Sequence, residues 1–138
     1  MGEKKVVLDT NIFISALGWN GKPRVVVQKG IAKEFILILP QKQIEELQKV
    51  IAYPKFQFTE YQKTRFLNLL IRIAVIVETQ GKINIIKDDV YDNVLLEAAI
   101  GNKVSFLVSG DEDLLRLKQI EKTKIVTATE FLEVFKVE

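Results

Sequence analysis

Neither cysteine nor histidine occurs among the 138 residues. That excludes a disulfide framework, a thiol nucleophile and an imidazole base. The nitrogen and sulfur ligands on which zinc sites depend are missing too. Proline is scarce, with 3 residues, and no stretch rich in glycine, proline or serine divides the chain. No apolar run approaches the ~20 residues of a membrane span. The N-terminus lacks the apolar segment of a secretory leader, so a cytoplasmic location without membrane attachment is expected. Whatever chemistry the chain performs must rest on carboxylates, lysine, tyrosine, hydroxyl groups or a cation held by oxygen.

What is present describes a globular protein. Hydrophobic residues make up 48% and charged residues 28% of the sequence, which argues against disorder. The length suits one domain over residues 1–138. A formal net charge of +2 is compatible with a nucleic-acid partner without requiring one.

Strand-like runs alternate with helix-like segments, the pattern of an α/β fold with a parallel sheet. Val6–Leu8 reads as a buried strand. Pro23 suits the first turn of a helix running to about Lys33. Phe35–Leu39 is a second strand, closed by Pro40. Ile44, Leu47, Val50 and Ile51 share one helix face, and Tyr53-Pro54 stops that helix. Thr59 with Gln62 is a capping-box pattern before Phe66, Leu69, Leu70 and Ile73. Val75–Val77 is β-branched and strand-like. Asp88 or Asp89 caps a helix bearing Leu95, Leu96 and Ala99, with Gly101 at its end. Phe106–Val108 is a further strand, followed by Ser109 and Glu112 as a second capping box and a short helix to about Lys118. Ile125 and Val126 form a last strand, and Thr129 opens a terminal helix with Phe131, Leu132 and Phe135.

The acids carry the functional signal. Asp9, with Thr10 and Asn11, ends the first strand, where ligands gather in parallel α/β sheets. Glu45 and Glu46 point about 100° apart on a helix, Glu46 nearer the apolar face. Asp92 lies in a helix's first turn, and Asp111, Glu112 and Asp113 follow the Phe106–Val108 strand. Each acid taken singly has a structural explanation, as a turn residue, a cap or a partner of the helix dipole. Together they suggest more. Asp9 and Asp111 both follow short buried strands, and in a parallel sheet they emerge at the same edge. Two carboxylates ~4 Å apart repel by about 4 kcal/mol near a protein surface. A cation relieves that repulsion, and all-oxygen ligands select Mg²⁺ or Mn²⁺.

Asp9-Thr10-Asn11, Glu46-Leu47, the Asp92-Asn93-Val94-Leu95-Leu96-Glu97-Ala98-Ala99 helix, Ser109-Gly110-Asp111-Glu112-Asp113-Leu114-Leu115 and the closing Ile125-Val126-Thr127 with Glu130-Phe131-Leu132 together resemble the PIN domain. The resemblance spans nearly the whole chain and is nearest to the small prokaryotic toxins of VapBC-type toxin–antitoxin pairs. It implies a three-layer α/β/α fold with a central parallel sheet of order 3-2-1-4-5. It also implies an acidic metal-binding and catalytic quartet of Asp9, Glu46, Asp92 and Asp111. Asp113 would be an auxiliary acid, and Asn11 and Ser109 hydrogen-bonding supports.

The implied activity is Mg²⁺- or Mn²⁺-assisted hydrolysis of phosphodiester bonds. Single-stranded RNA is the expected substrate, because an unstacked strand can thread a narrow acidic pocket. Lys22, Arg24 and Lys29, with Arg116 and Lys118, are candidates for holding its backbone. Trp19 can stack a base, grip a partner or pack in the core. A homodimer and a neutralising antitoxin are further implications of the resemblance. The alternatives are a PIN nuclease of RNA processing or decay, and a catalytically inert PIN-like binding module.

Overall fold

A computed structural model describes residues 3–87 and 89–136. In chain order the main elements are β1 (Lys5–Leu8), α1 (Thr10–Gly18), α2 (Lys22–Ile31), β2 (Ile36–Pro40), α3 (Gln41–Ile51), α4 (Glu60–Ile73), β3 (Val75–Val77), α5 (Val90–Gly101), β4 (Phe106–Val108), α6 (Glu112–Leu115), β5 (Gln119–Ile120), β6 (Thr123–Val126) and α7 (Ala128–Val134).

The sheet order is β3-β2-β1-β4-β6-β5. Pairs β1·β2, β1·β4, β2·β3 and β4·β6 are parallel, and only β5·β6 is antiparallel. The five parallel strands keep the expected order. The difference is β5, a two-residue strand added at the edge by a tight turn in which Glu121 takes φ 49°. Too short to carry an alternation pattern, it left no mark in the sequence.

Side-chain alternation along β1 divides the core into two layers. Val6 and Leu8 face a cluster built with Phe13, Val26, Leu47, Phe66 and Phe131, so α1, α2, α3, α4 and α7 cover that side. Val7 faces the other cluster, with Leu95, Leu96, Ala99, Leu107 and Leu114 from α5, β4 and α6. Both faces of the sheet are thus covered by helices, as a parallel sheet requires. Phe131 anchors the larger layer. It meets Phe35 and Phe106 edge-on and stacks on Phe135 with centroids 4.9 Å apart.

Helix α1 occupies a stretch for which the sequence pattern predicts no element. Thr10, Ile12, Phe13, Ile14 and Ala16 are all buried, so the helix shows no polar stripe and hence no clear 3.6-residue period. The Thr59–Gln62 capping box forms as expected. Two others differ. Asp111, not Ser109, caps α6, which ends at Leu115 well short of Lys118, because the Ser109 hydroxyl is engaged elsewhere. Thr127, not Thr129, opens α7, with Glu130 completing the box. Asp89 caps α5, while Asp88 lies outside the described residues. No helix among the described residues is long and apolar enough to cross a membrane.

Candidate metal centre

Strands β1 and β4 are neighbours although about one hundred residues separate them, and their carboxyl ends deliver Asp9 and Ser109 side by side. The Asp9 N–H donates to the Val108 carbonyl at 2.9 Å, continuing the ladder one step past β1. This is the topological switch point, where the connection from β1 leaves toward β2 on one side while β4 pairs on the other. Asp9 and Ser109 are both buried. The Ser109 hydroxyl donates to Asp9 Oδ2 at 2.6 Å and accepts from the Asp111 N–H at 2.9 Å. A single hydroxyl therefore orients one acid and positions the backbone of another.

Glu46 reaches the same edge from α3. Its carboxylate Oε1 accepts a hydrogen bond from the Thr10 hydroxyl. Gln43, one turn earlier and 1% exposed, donates from Nε2 to the Leu8 carbonyl at 2.6 Å and to Thr10 Oγ1 at 3.3 Å. The amide thus ties α3 to the end of β1, and Thr10 passes that order on to Glu46. Glu45 is exposed, consistent with its 100° offset on the helix.

The N-terminus of α5 supplies the remaining acids. Asp89 Oδ1 accepts from the Asp92 N–H at 2.9 Å as the helix cap. Asn93 secures the segment leading into it. Its Oδ1 accepts from the N–H groups of Ile85 and Ile86, and its Nδ2 donates to the carbonyls of Ile86 and Asp89. Carboxylate oxygens of Asp89, Asp92 and Asp111 all lie within 4.8 Å of one another.

The electrostatics follow from burial. Desolvation raises the Asp9 carboxyl above its ordinary range, opposed by the Ser109 hydrogen bond and reinforced by Asp111. Glu46 is raised by burial and by the charges of Asp9 and Asp89, while the Thr10 hydrogen bond lowers it. Asp92 is pushed up to about 8 by burial and then by the charges of Asp89, Asp111 and Asp9. All three shifts disfavour the charged form. Asp92 is 6% exposed, and its Oδ2 has no hydrogen-bond partner among the described residues. Of these acids, none takes part in a salt bridge among the described residues. A buried, orphaned carboxylate oxygen amid unpaired acids fits an oxygen-loving divalent cation, which would supply the missing positive charge.

Other expected residues lie elsewhere or act differently. The side chain of Asn11 is exposed and makes no hydrogen bond among the described residues; only its backbone N–H favours the charged Asp9. Arg24 is a structural residue, with Nε and Nη2 donating to the carbonyls of Ala16 and Leu17 at the end of α1. Arg116 pairs with Asp113 at 3.3 Å, both exposed on α6 and its end. Lys29 pairs with Glu34, whereas Lys22 is exposed and outside any ion pair among the described residues. Trp19 is also exposed and packs edge-on against Phe56, so it is not a core residue.

Gln43, Asn93 and, beyond its cap, Asp89 received no role from the sequence. A polar residue on an otherwise apolar helix face was the available signal for Gln43, since it precedes Ile44 and lies four positions before Leu47.

The model of the PIN domain matches residues 5–113 of the chain. The chain belongs to the PIN-domain family. An uncharacterized protein of Methanocaldococcus jannaschii is 28% identical over 143 residues, covering 95% of this PIN protein and 91% of the relative. Among solved structures, VapBC2 from Rickettsia felis, bound to a DNA fragment from their promoter, contains a similar fold. The match has a TM-score of 0.61 at 15% identity and covers 88% of this chain and 96% of that one.

Proposed function

We propose that this PIN protein is a Mg²⁺- or Mn²⁺-dependent endoribonuclease that cleaves single-stranded RNA as the toxin of a toxin–antitoxin pair. The observation that carries this reading is the buried Oδ2 of Asp92, which has no partner among the described residues, amid acids that form no ion pair among them, at the carboxyl edge of the sheet. Membership of the PIN family supports nuclease chemistry. The likeness in fold to the Rickettsia felis VapBC2 structure supports an antitoxin partner, and the same reading includes a homodimer of single-domain chains.

Asp9, Glu46, Asp92 and Asp111 would hold the cation. When bound, it would polarise the phosphate and make a water nucleophilic at neutral pH. The protein's own part is orientation. Ser109 fixes the Asp9 carboxylate, and Thr10, itself held by Gln43, fixes Glu46. The cap bond from Asp92 to Asp89 fixes the start of α5. Such preorganisation spares the reaction the cost of gathering like charges. Exposed Lys22 contributes to holding the RNA backbone, whereas the Arg24 guanidinium, on α2, is engaged by the last carbonyls of α1.

Cleavage of labelled single-stranded RNA with Mn²⁺, with EDTA, and by the Asp9→Asn variant tests the reading. Activity with Mn²⁺ that EDTA and Asp9→Asn both abolish is expected. Cleavage that persists in EDTA or in Asp9→Asn would overturn it.

A further inference from the structure

Asp89 presents itself first as a helix cap, and that role uses one oxygen. Oδ1 accepts from the Asp92 N–H, while Oδ2 has no side-chain or backbone donor among the described residues. A carboxylate oxygen of Asp89 lies within 4.8 Å of oxygens from both Asp92 and Asp111. A cap needs only one acceptor, and Asn or Ser serves about as well as Asp. Placing a full negative charge beside two others is costly unless something shares it.

Two further observations point the same way. The Oδ2 of Asp92, a residue only 6% exposed, has no hydrogen-bond partner among the described residues. Asn93 uses both ends of its amide on the backbones of Ile85, Ile86 and Asp89, which fixes the Asp89 backbone where its carboxylate meets the other acids. Asp89 also borders an open cleft of about 370 Å³ lined by Lys42, Asn84, Asn93 and Glu97, so the residue is open to solvent on that side.

We propose that Asp89 is a direct ligand of the divalent cation, bridging cap and metal centre with its two oxygens. This rests on the cation-dependent reading above and adds a fifth acid to the site. The cation then sits toward the α5 N-terminus, between Asp89, Asp92 and Asp111, with Asp9 and Glu46 completing the site from β1 and α3.

The test is titration of the protein with Mn²⁺ alone, followed by calorimetry, for wild type, Asp89→Asn, Asp89→Ser and Asp92→Asn. Both Asp89 substitutions retain a capping side chain, so their metal-free melting temperatures should match or exceed that of wild type. Their Mn²⁺ affinity should fall by at least about tenfold, the lower end of what losing even an outer supporting group costs. Affinity within twofold of wild type for both, with Asp92→Asn clearly weakened, would overturn the role of Asp89 and leave the nuclease reading standing. No Mn²⁺ uptake by wild type would overturn both. Should Asp89→Asn and Asp89→Ser melt well below wild type without metal, thermal shift upon Mn²⁺ addition decides. A shift equal to that of wild type overturns the proposal, and a lost shift supports it.

Discussion

Ser109 and Asp9 are one hundred positions apart in the chain and joined by a 2.6 Å hydrogen bond. The bond is possible because β1 and β4 pair in parallel, with Leu8 opposite Val108, so the next residue of each strand emerges at the same edge. Ser109 is fully buried, and its hydroxyl serves the Asp111 N–H as well. Ser109→Ala should therefore act on both. We expect a loss of about 1–3 kcal/mol in urea unfolding, as the buried Asp9 carboxylate loses a donor and the half-buried Asp111 N–H its acceptor. Mn²⁺ affinity should fall by roughly tenfold as Asp9 loses its orienting donor. Unchanged stability together with unchanged affinity would show that the hydroxyl organises neither acid.

Asn93 gives a second prediction. Its amide makes hydrogen bonds to Ile85, Ile86 and Asp89 and is nearly buried. Asn93→Ala removes the partner of several half-buried or exposed backbone groups at once, so a destabilisation of about 1–3 kcal/mol is expected. Asn93→Asp restores the acceptor but not the donor and should recover only part of it. Thermal unfolding checks both, and an alanine variant as stable as wild type would contradict this role.

A third prediction concerns pH. Asp9, Glu46 and Asp92 all have carboxyls raised above their ordinary values by burial, Asp92 to about 8. The folded protein thus binds more protons than the unfolded chain between about pH 4 and pH 8. Stability from these groups is present below their unfolded values and is lost as pH rises through the folded ones. In EDTA the melting temperature should drop from pH 5 to pH 8 by at least about 4 °C, the shift for ~1 kcal/mol in a domain of this size. Asp92→Asn should flatten most of that slope. Mn²⁺ should reverse its sign, because the ligands must be deprotonated to bind. A melting temperature in EDTA that rises toward pH 8 would contradict the burial of these acids.

Much of this arrangement was legible beforehand, and the reasons differ by residue. Asp9 and Asp111 declared themselves because each follows a short apolar strand, and parallel topology sends such residues to one edge. Asp92, which alone reads as an ordinary first-turn acid, was singled out by the resemblance to the PIN domain. Residues whose roles depend on distant partners were not legible. Gln43 is a buried amide tied to the Leu8 carbonyl and Thr10; its place on an apolar helix face signals burial, but no local pattern names those partners. Asp89 was one of two candidate caps with Asp88, and it does cap α5; its proximity to Asp111 exists only once β4 lies beside β1. Arg24 was expected to face the substrate as an exposed cation. Its guanidinium instead satisfies the last carbonyls of α1, an element hidden by its own burial.

The central claim is that the acids at the carboxyl edge of the sheet form one divalent-cation site. A crystal grown or soaked with Mn²⁺ and measured for anomalous scattering tests it most directly. The predicted result is a peak at ~2.1 Å from carboxylate oxygens of Asp92 and Asp111, within the cluster that Asp9, Glu46 and Asp89 surround. A fully Mn²⁺-exposed crystal with no peak there, or with Asp92 Oδ2 engaged by a protein donor instead, would contradict it.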